Sequence, residues 1–230
     1  MSMEFWVQYI KMDNLRGLFK NQELLKQALT HKSWVNEHKN QRSSNERLEF
    51  LGDAVLEFIV SQEIFRRFPD KNEGYLTSLR ANLVNTQNLA ALAKRLNVGE
   101  GLYLSKGEEE GAGRKNPSLL ADTLEAIIGA LFLDQEIAKV DEFIRENLIS
   151  EIPIKVAKPL KDAKSRLQEL VQAKRLSAPK YKVLEEIGPD HNKQFVVEVF
   201  VNGKKEGRGL GKSKSTAEQA AAEGALGKII

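Results

Sequence analysis

Residues 45–53 read NERLEFLGD, and this stretch places three carboxylates on one face of a helix. Glu46, Glu49 and Asp53 follow the spacing i, i+3 and i+7. A separate apolar stripe has similar helical spacing: Leu48, Leu51, Val55 and Phe58. Like charges along one helix face repel by about 0.2–0.5 kcal/mol for each pair. A bound divalent cation would offset that repulsion, because hard cations take carboxylate oxygens as ligands.

A second acidic pair lies in the stretch LADTLEAIIGALFLD at residues 120–134. Asp122 and Glu125 are three residues apart, beside an apolar helix face. If the two helices packed together, Glu49, Asp53, Asp122 and Glu125 would form a four-carboxylate cluster. Such a cluster suits Mg²⁺, and it could support hydrolysis of a phosphodiester. The spacing alone also allows an ordinary solvated acidic surface.

Glu46 has a structural alternative within the same stretch. Ser43-Ser44-Asn45-Glu46 fits the capping box, in which a glutamate reaches back to the backbone amide of the N-cap residue. We therefore keep Glu46 outside the four-carboxylate cluster. His31 and His38 have no partner at metal-ligand spacing and are expected to be structural or surface residues.

The composition suits a globular chain and excludes several chemistries. Of 230 residues, 41% are hydrophobic and 29% charged, and cysteine is absent. Disulfides, thiolate metal sites and a cysteine nucleophile are therefore excluded. No secretory signal pattern or apolar run of membrane length is evident, and we expect a cytoplasmic protein.

The charge is divided unevenly along the chain. Residues 1–150 carry 19 Lys and Arg against 22 Asp and Glu, a net −3, whereas residues 151–230 carry 16 against 10, a net +6. The basic part favours a polyanionic partner. A solvated lysine-rich surface is the alternative on charge alone.

The hydrophobic pattern predicts two domains and a linker. Residues 1–150 have helical periodicity, with helices expected at 21–30, 44–68, 77–96, 118–133 and 138–148 and a loop at 105–116. Residues 151–161 contain two prolines and are predicted to be a linker. Residues 162–230 have the order α-β-β-β-α, with Asn202-Gly203 as a hairpin turn. The fold class is an all-α domain followed by a small α+β domain.

Phe50 lies between the acidic and apolar stripes of the first motif, so a single buried face does not explain it. A helix that is apolar on more than one side needs a second partner. That partner is either a second copy of the chain or another helix of the same chain.

The stretches NERLEFLGD, LADTLEAIIGALFLD and THKSWVNE (30–37) resemble bacterial ribonuclease III. The resemblance implies an all-α endonuclease domain that acts as a homodimer on double-stranded RNA. It implies Mg²⁺ ligands at Glu49, Asp53, Asp122 and Glu125, with Mn²⁺ as a substitute, and catalytic roles for Asp53 and Glu125. It also implies a dimer contact at Phe50. Cleavage would leave 5′-phosphate and 3′-hydroxyl ends with a short 3′ overhang, in precursors of ribosomal RNA and in structured messenger RNA. Glu46 and Glu73 would be accessory acids.

Residues 162–229 resemble the double-stranded-RNA-binding domain that follows the nuclease in this family. The resemblance implies RNA contacts from a first helix, a loop with the sequence GPDH and the start of the last helix. The residues at these three places are Gln168 and Glu169, His191, and Lys212 and Lys214. Ser215 departs from the family, which usually has a second lysine there.

Two other functions are compatible with these sequence patterns. A binding protein that no longer cleaves would share the RNA-binding domain, although it would not need all four acids. A structural RNA-binding protein of the ribosome would need neither acidic helix strip.

Overall fold

The computed structural model describes residues 12–157, 159–189 and 192–229. The chain divides into two compact units, Met1–Lys158 and Pro159–Ile230. The helices of the first unit are α1 (Met12–Gly17), α2 (Gln22–Ala28), α3 (Lys32–Glu37), α4 (Glu46–Arg67), α5 (Glu73–Leu83), α6 (Thr86–Arg95), α7 (Val98–Gly101), α8 (Lys106–Glu110), α9 (Pro117–Asp134), α10 (Ile137–Asn147) and α11 (Ile152–Val156). Short 3₁₀ helices span Gly113–Lys115 and Ile149–Glu151.

Helix α9 lies at the centre of the first unit. Leu124, Ile127 and Ile128 have no exposed surface, and α2, α4 and α6 pack against this helix. Because α9 is apolar on most of its circumference, it can be covered from several sides at once. The predicted all-α architecture is confirmed.

Two predicted boundaries are wrong. The helix expected over residues 77–96 is divided into α5 and α6, because the Asn85 side chain accepts a hydrogen bond from the Asn88 amide at 3.0 Å and starts a new helix. The loop expected at 105–116 contains α8, which Ser105 caps by accepting from the Glu108 amide at 3.3 Å. In both places a capping side chain determines the local structure.

The beginning of the expected linker is folded onto the first unit. Glu151 forms an ion pair with Arg95 at 2.5 Å, and the Lys155 ammonium donates to the Asn88 side chain at 2.6 Å. Ile152 is almost completely buried. Pro153 lies in the first turn of α11, where a missing amide hydrogen has no cost, so this part of the expected linker is helical.

The second unit has the predicted order α-β-β-β-α. It consists of α12 (Ala163–Ala173), β1 (Lys180–Ile187), β2 (Gln194–Val201), β3 (Lys204–Gly211) and α13 (Lys214–Ile229). The strands form an antiparallel sheet in the order β1-β2-β3. Asn202 and Gly203 both have positive φ, 51° and 78°, as the predicted hairpin turn requires.

Helix α13 lies very close to β3 because both elements present small residues. A Cβ atom added to Gly209 would lie 2.2 Å from the backbone nitrogen of Ala221, and one added to Gly207 would lie 2.1 Å from the Ala221 carbonyl oxygen. The glycines and the alanine-rich helix therefore form one close-packed layer. Within the described part of the chain, no helix is long and apolar enough to cross a membrane.

Candidate active site and nucleic-acid interface

Two glycines bring α4 and α9 into backbone contact. A Cβ atom on Gly52 would lie 1.8 Å from the carbonyl oxygen of Glu125, and one on Gly129 would lie 2.1 Å from the carbonyl oxygen of Leu48. Real side chains never approach so closely, so only glycine allows this spacing. The contact places the acidic strip of α4 directly beside that of α9.

The two strips line one cleft of about 380 Å³. The side chains that surround it are His31, Lys32, Asn45, Glu46, Glu49, Phe50, Asp53, Leu119, Asp122 and Glu125. Glu49, Asp122 and Glu125 each have one carboxylate oxygen that lies within 4.8 Å of the corresponding oxygens of the other two. Asp53 lines the same cleft, is exposed, and lies outside that group of three.

Burial disfavours the charged forms of three of these carboxylates, and neighbouring acids add to the effect for Glu49 and Glu125. Burial, followed by the charges of Asp53, Asp122 and Glu49, raises the pKa of Glu125 to about 7. Burial and the neighbouring Asp122 raise the pKa of Glu49. Burial also raises the pKa of Asp122, although His31 and Lys32 act in the opposite direction. The cleft therefore holds more negative charge than its own side chains neutralise.

This donor set fits a hard divalent cation. All of the converging ligand atoms are carboxylate oxygens, which Mg²⁺ and Mn²⁺ prefer. A cation among Glu49, Asp122 and Glu125 would favour their charged forms, against the burial that raises all three pKa values and the repulsion that adds to it for Glu49 and Glu125. The three half-buried carboxylates are thus the residues that could hold a metal.

Glu46 lies at the rim of the cleft and does not form the predicted capping box. Helix α4 begins at Glu46 itself, and Asn45 makes no side-chain cap bond, so Glu46 is too early in the helix to occupy the third position. Its carboxylate instead accepts from the Ser44 hydroxyl at 3.1 Å and pairs with Lys32 at 3.3 Å. These two bonds lower the pKa of Glu46.

His31 is part of the cleft, which the sequence pattern did not indicate. Its Nδ1 atom caps α3 by accepting from the Ser33 amide at 3.3 Å. The preceding residue, Thr30, accepts a hydrogen bond from the Asn45 amide at 2.9 Å, and this contact holds the start of α3 beside the start of α4. The signal was the THKS segment before α4, but its pairing with Asn45 is not visible in the sequence.

Glu73 is separated from the acidic cleft within this chain. It is the first residue of α5, is exposed, and accepts from the Thr77 hydroxyl at 2.8 Å. It lines a different cleft together with Phe65, Leu76 and Arg80.

Both units of the chain match known protein families. Residues 21–152 match the family model described as Ribonuclease-III-like, and residues 163–229 match the double-stranded RNA binding motif. The chain belongs to the ribonuclease III family. A Ribonuclease 3 of Geobacillus sp. strain WCH70 is 50% identical over 212 residues, which cover 92% of this chain and 86% of the relative. A Ribonuclease 3 of Listeria monocytogenes is 46% identical over 213 residues, covering 92% and 93%.

A solved structure is similar to the nuclease part. The nuclease domain of ribonuclease III from Campylobacter jejuni is 38% identical with a TM-score of 0.54, and the match covers 64% of this chain and 97% of that domain. The ribonuclease III assignment makes this chain an endoribonuclease of double-stranded RNA. Enzymes of this family are generally metal-dependent, which is consistent with the three converging carboxylates.

Phe50 of this ribonuclease III chain projects into solvent. Its side chain is 80% exposed. Among the described residues, therefore, no other helix of the same chain covers Phe50. Phe58 and Phe65 on the same helix are 59% and 71% exposed. Helix α4 thus has an apolar outer surface beside its acidic strip.

The residues predicted to contact RNA are on the surface of the second unit. Gln168 and Glu169 are exposed on α12, and Glu169 pairs with Lys161. Lys212 and Lys214 are exposed at the start of α13. His191 lies outside the described residues.

The start of α13 is shaped by a local cap. Ser213 accepts a hydrogen bond from the Thr216 amide at 3.1 Å, and the Thr216 hydroxyl accepts from the Ser213 amide at 3.0 Å. Lys214 is therefore fixed in the first turn, beside the positive end of the helix dipole, where phosphate is favoured. Ser215, where the family usually has lysine, is also exposed.

Proposed function

We propose that this chain is a homodimeric, Mg²⁺-dependent endoribonuclease that cuts double-stranded RNA in the cytoplasm. Its products would have 5′-phosphate and 3′-hydroxyl ends with short 3′ overhangs. Its substrates would be precursors of ribosomal RNA and structured regions of messenger RNA. The single observation that carries the proposal is the convergence of Glu49, Asp122 and Glu125 in one cleft of a ribonuclease III fold.

The roles proposed for the acids follow from their positions. Glu49, Asp122 and Glu125 would hold Mg²⁺, and Asp53 would join them from the rim of the same cleft. When bound, Mg²⁺ supplies an activated water and neutralises charge on the phosphodiester that is cut. Mn²⁺ would substitute, because it takes the same oxygen ligands.

The side chains prepare this cleft in two further ways. Burial and the neighbouring acids raise the pKa of Glu125 to about 7, and the same surroundings give the cleft a preference for a cation. The Lys32 ammonium lies 3.3 Å from the Glu46 carboxylate. This ion pair partly neutralises one acid at the rim and so limits the repulsion that an incoming phosphate meets. Asp53 and Glu125 are the proposed catalytic pair.

The homodimer is supported by the apolar outer surface of α4. Phe50 is 80% exposed in the single chain, and large exposed aromatic side chains mark interfaces. A solved nuclease domain of ribonuclease III from Campylobacter jejuni, 42% identical with a TM-score of 0.52, has a region involved in dimer formation. A two-fold dimer would present two identical acidic clefts, one for each strand of a duplex.

The RNA-binding roles proposed for Gln168, Glu169, Lys212 and Lys214 rest on exposure and on the family motif. In domains of this kind an A-form duplex is recognised by its shape, across two minor grooves and the phosphates between them. His191 is assigned to the same surface on the GPDH sequence alone.

The test of the enzymatic proposal is incubation of the full chain with a long RNA duplex. With Mg²⁺ we expect double-strand cutting to short duplexes, and with EDTA we expect binding without cutting. End-labelling of the products distinguishes 5′-phosphates from 5′-hydroxyls. Binding without Mg²⁺-dependent cutting would make the chain a regulator that does not cleave.

The dimer has a separate test. Phe50→Ser should shift the chain toward the monomer in sedimentation equilibrium, because the side chain leaves a partner's pocket. Ile154→Ser is the matched control, since Ile154 is 68% exposed on a different helix. An unchanged dimer in the Phe50 variant would remove this residue from the interface.

A further inference from the structure

Glu186, near the end of β1, lies between two lysines, Lys193 and Lys214. Its Oε2 atom lies 3.3 Å from the Lys193 ammonium, and its Oε1 atom lies 3.4 Å from the Lys214 ammonium. Lys193 follows the GPDH loop, and Lys214 begins α13. One carboxylate thus forms ion pairs with two lysines that come from different segments of the second unit.

The sheet register explains why Glu186 reaches Lys214. Glu186 pairs with Phe195 in β2, and directly opposed residues project from the same face of a sheet. Phe195 packs against the core that the helices cover, and the Lys214 ammonium lies 5.6 Å from the centre of its ring. Glu186 is therefore on the helix side of the sheet, beside the start of α13.

The arrangement imitates the binding of a phosphate. A phosphodiester bridges two ammonium groups with two separate oxygens, as the Glu186 carboxylate does here. All three side chains are partly open to solvent, at 40% for Glu186, 34% for Lys193 and 59% for Lys214. Exposed ion pairs of this kind are weak and exchange readily.

We propose that Glu186 competes with the RNA backbone for Lys193 and Lys214 and so lowers the affinity of this chain for double-stranded RNA. The inference rests on the proposed RNA-binding function. A phosphate that binds the two lysines must displace the carboxylate, and the released carboxylate then lies close to the RNA. Ser215 makes the effect larger, because no second lysine beside Lys214 is present to hold the phosphate instead.

Glu186 also acts on the salt dependence of binding. When RNA displaces Glu186, the free carboxylate takes up cations, and this uptake offsets part of the counterion release that drives binding. Without the carboxylate, the full release would be observed. Affinity should then fall more steeply with added salt.

The experiment measures binding of the full chain, in EDTA, to an RNA duplex longer than the roughly 16 base pairs that one motif spans. Glu186→Gln should bind about two- to fivefold more tightly at about 0.15 M salt, with a log–log salt slope more negative by up to about one. Glu185→Gln is the matched control. It removes the same charge from the neighbouring residue, which pairs with Val196 on the opposite face of the sheet and has no ion pair among the described residues.

A double-mutant cycle tests the route of the effect. In a Lys214→Met background, Glu186→Gln should lose most of its gain in affinity, because half of the bridged pair is already absent. Equal gains in affinity from Glu185→Gln and Glu186→Gln would overturn the proposal, because the change in net charge alone would then explain them. Weaker binding by Glu186→Gln would also overturn it, since Glu186 would then support the lysines. If the wild-type chain did not bind duplex RNA at all, the proposed function itself would fail.

Discussion

The two units of this chain use carboxylates in opposite ways. In the first unit, Glu125 is half-buried among other acids, and burial together with these neighbouring charges raises its pKa to about 7. In the second unit, Glu186 is exposed between Lys193 and Lys214, which lower its pKa. Burial with like charge creates a site that requires a cation, whereas exposure with opposite charge creates contacts that RNA can exchange. We therefore expect mutations to separate the chemistry of the enzyme from its affinity for RNA.

The largest expected effect comes from the backbone contact that assembles the first site. Gly52→Ala would place a methyl group 1.8 Å from the carbonyl oxygen of Glu125, so α4 and α9 must separate. We expect the free energy of unfolding to fall by about 2–4 kcal/mol and the cutting of RNA to be lost. Denaturant unfolding followed by circular dichroism measures the first effect.

Gly107→Ala is the control for this substitution. A Cβ atom at Gly107 would meet nothing within 4 Å, and Gly107 lies in α8, so stability should change by at most about 1 kcal/mol and in the favourable direction. If Gly52→Ala were as stable and as active as this control, the close approach of α4 and α9 would not be what assembles the cleft.

The next effect separates chemistry from binding. Glu125→Gln removes the most strongly perturbed carboxylate while keeping its shape, and cutting should fall by about 10²–10³-fold or more. Duplex binding in EDTA should stay within about twofold, because the residues proposed to bind RNA are unchanged. Single-turnover cleavage and a binding titration on the same preparation give both numbers.

Glu110→Gln is the matched control for Glu125→Gln. It removes one acid from the exposed face of α8, and it should leave both cutting and binding unchanged. A Glu125→Gln enzyme that still cut at the wild-type rate would remove Glu125 from the proposed metal site.

The second unit should respond in the opposite way. Lys214→Met should weaken duplex binding by about three- to tenfold at about 0.15 M salt and should reduce the salt slope by about one. Cutting at saturating RNA should be unaffected, since Lys214 does not contribute to the acidic cleft. Lys228→Met, at the other end of α13 and also exposed, is the control. A loss of cutting at saturating RNA would contradict the assignment of catalysis to the first unit and of RNA affinity to the second.

The sequence predicted the parts of this molecule that depend on periodicity. The apolar face of α9, the strand alternation and the Asn202-Gly203 turn all follow from spacing along the chain, and the fold class was correct. The predicted apolar stripe of α4 is buried at Leu48 and Val55 but not at Phe58, which is 59% exposed. The sequence also indicated the acids of the cleft, because each pair shares one helix face. It did not indicate which acids converge most closely.

The remaining features depend on contacts between distant residues. The convergence of Glu49, Asp122 and Glu125 is determined by the contacts of Gly52 and Gly129, whose role is not evident from either helix alone. The break between α5 and α6 depends on one capping bond from Asn85, which competes with continuous apolar periodicity. The capping box expected at Glu46 is absent because α4 begins at this residue, and Lys32 and Ser44 bind its carboxylate.

The smallest expected effect concerns pH and the metal-free protein. The pKa of Glu125 is raised in the folded chain to about 7 from an ordinary value of 4.5, so the folded state binds more protons than the unfolded state between these values. Stability contributed by this group is therefore present at low pH and is lost as pH rises through about 7.

In EDTA, the Tm of the wild type should fall by roughly 2–4 °C between about pH 5.5 and pH 8, after correction with Glu125→Gln, which cannot titrate at this position. Mg²⁺ should restore the Tm of the wild type at pH 8 more than that of Glu125→Gln, because a cation offsets the same repulsion. Parallel pH profiles for the two proteins would mean that the crowding of acids in the cleft does not perturb Glu125, and the contrast with the exposed Glu186 would then rest on geometry alone.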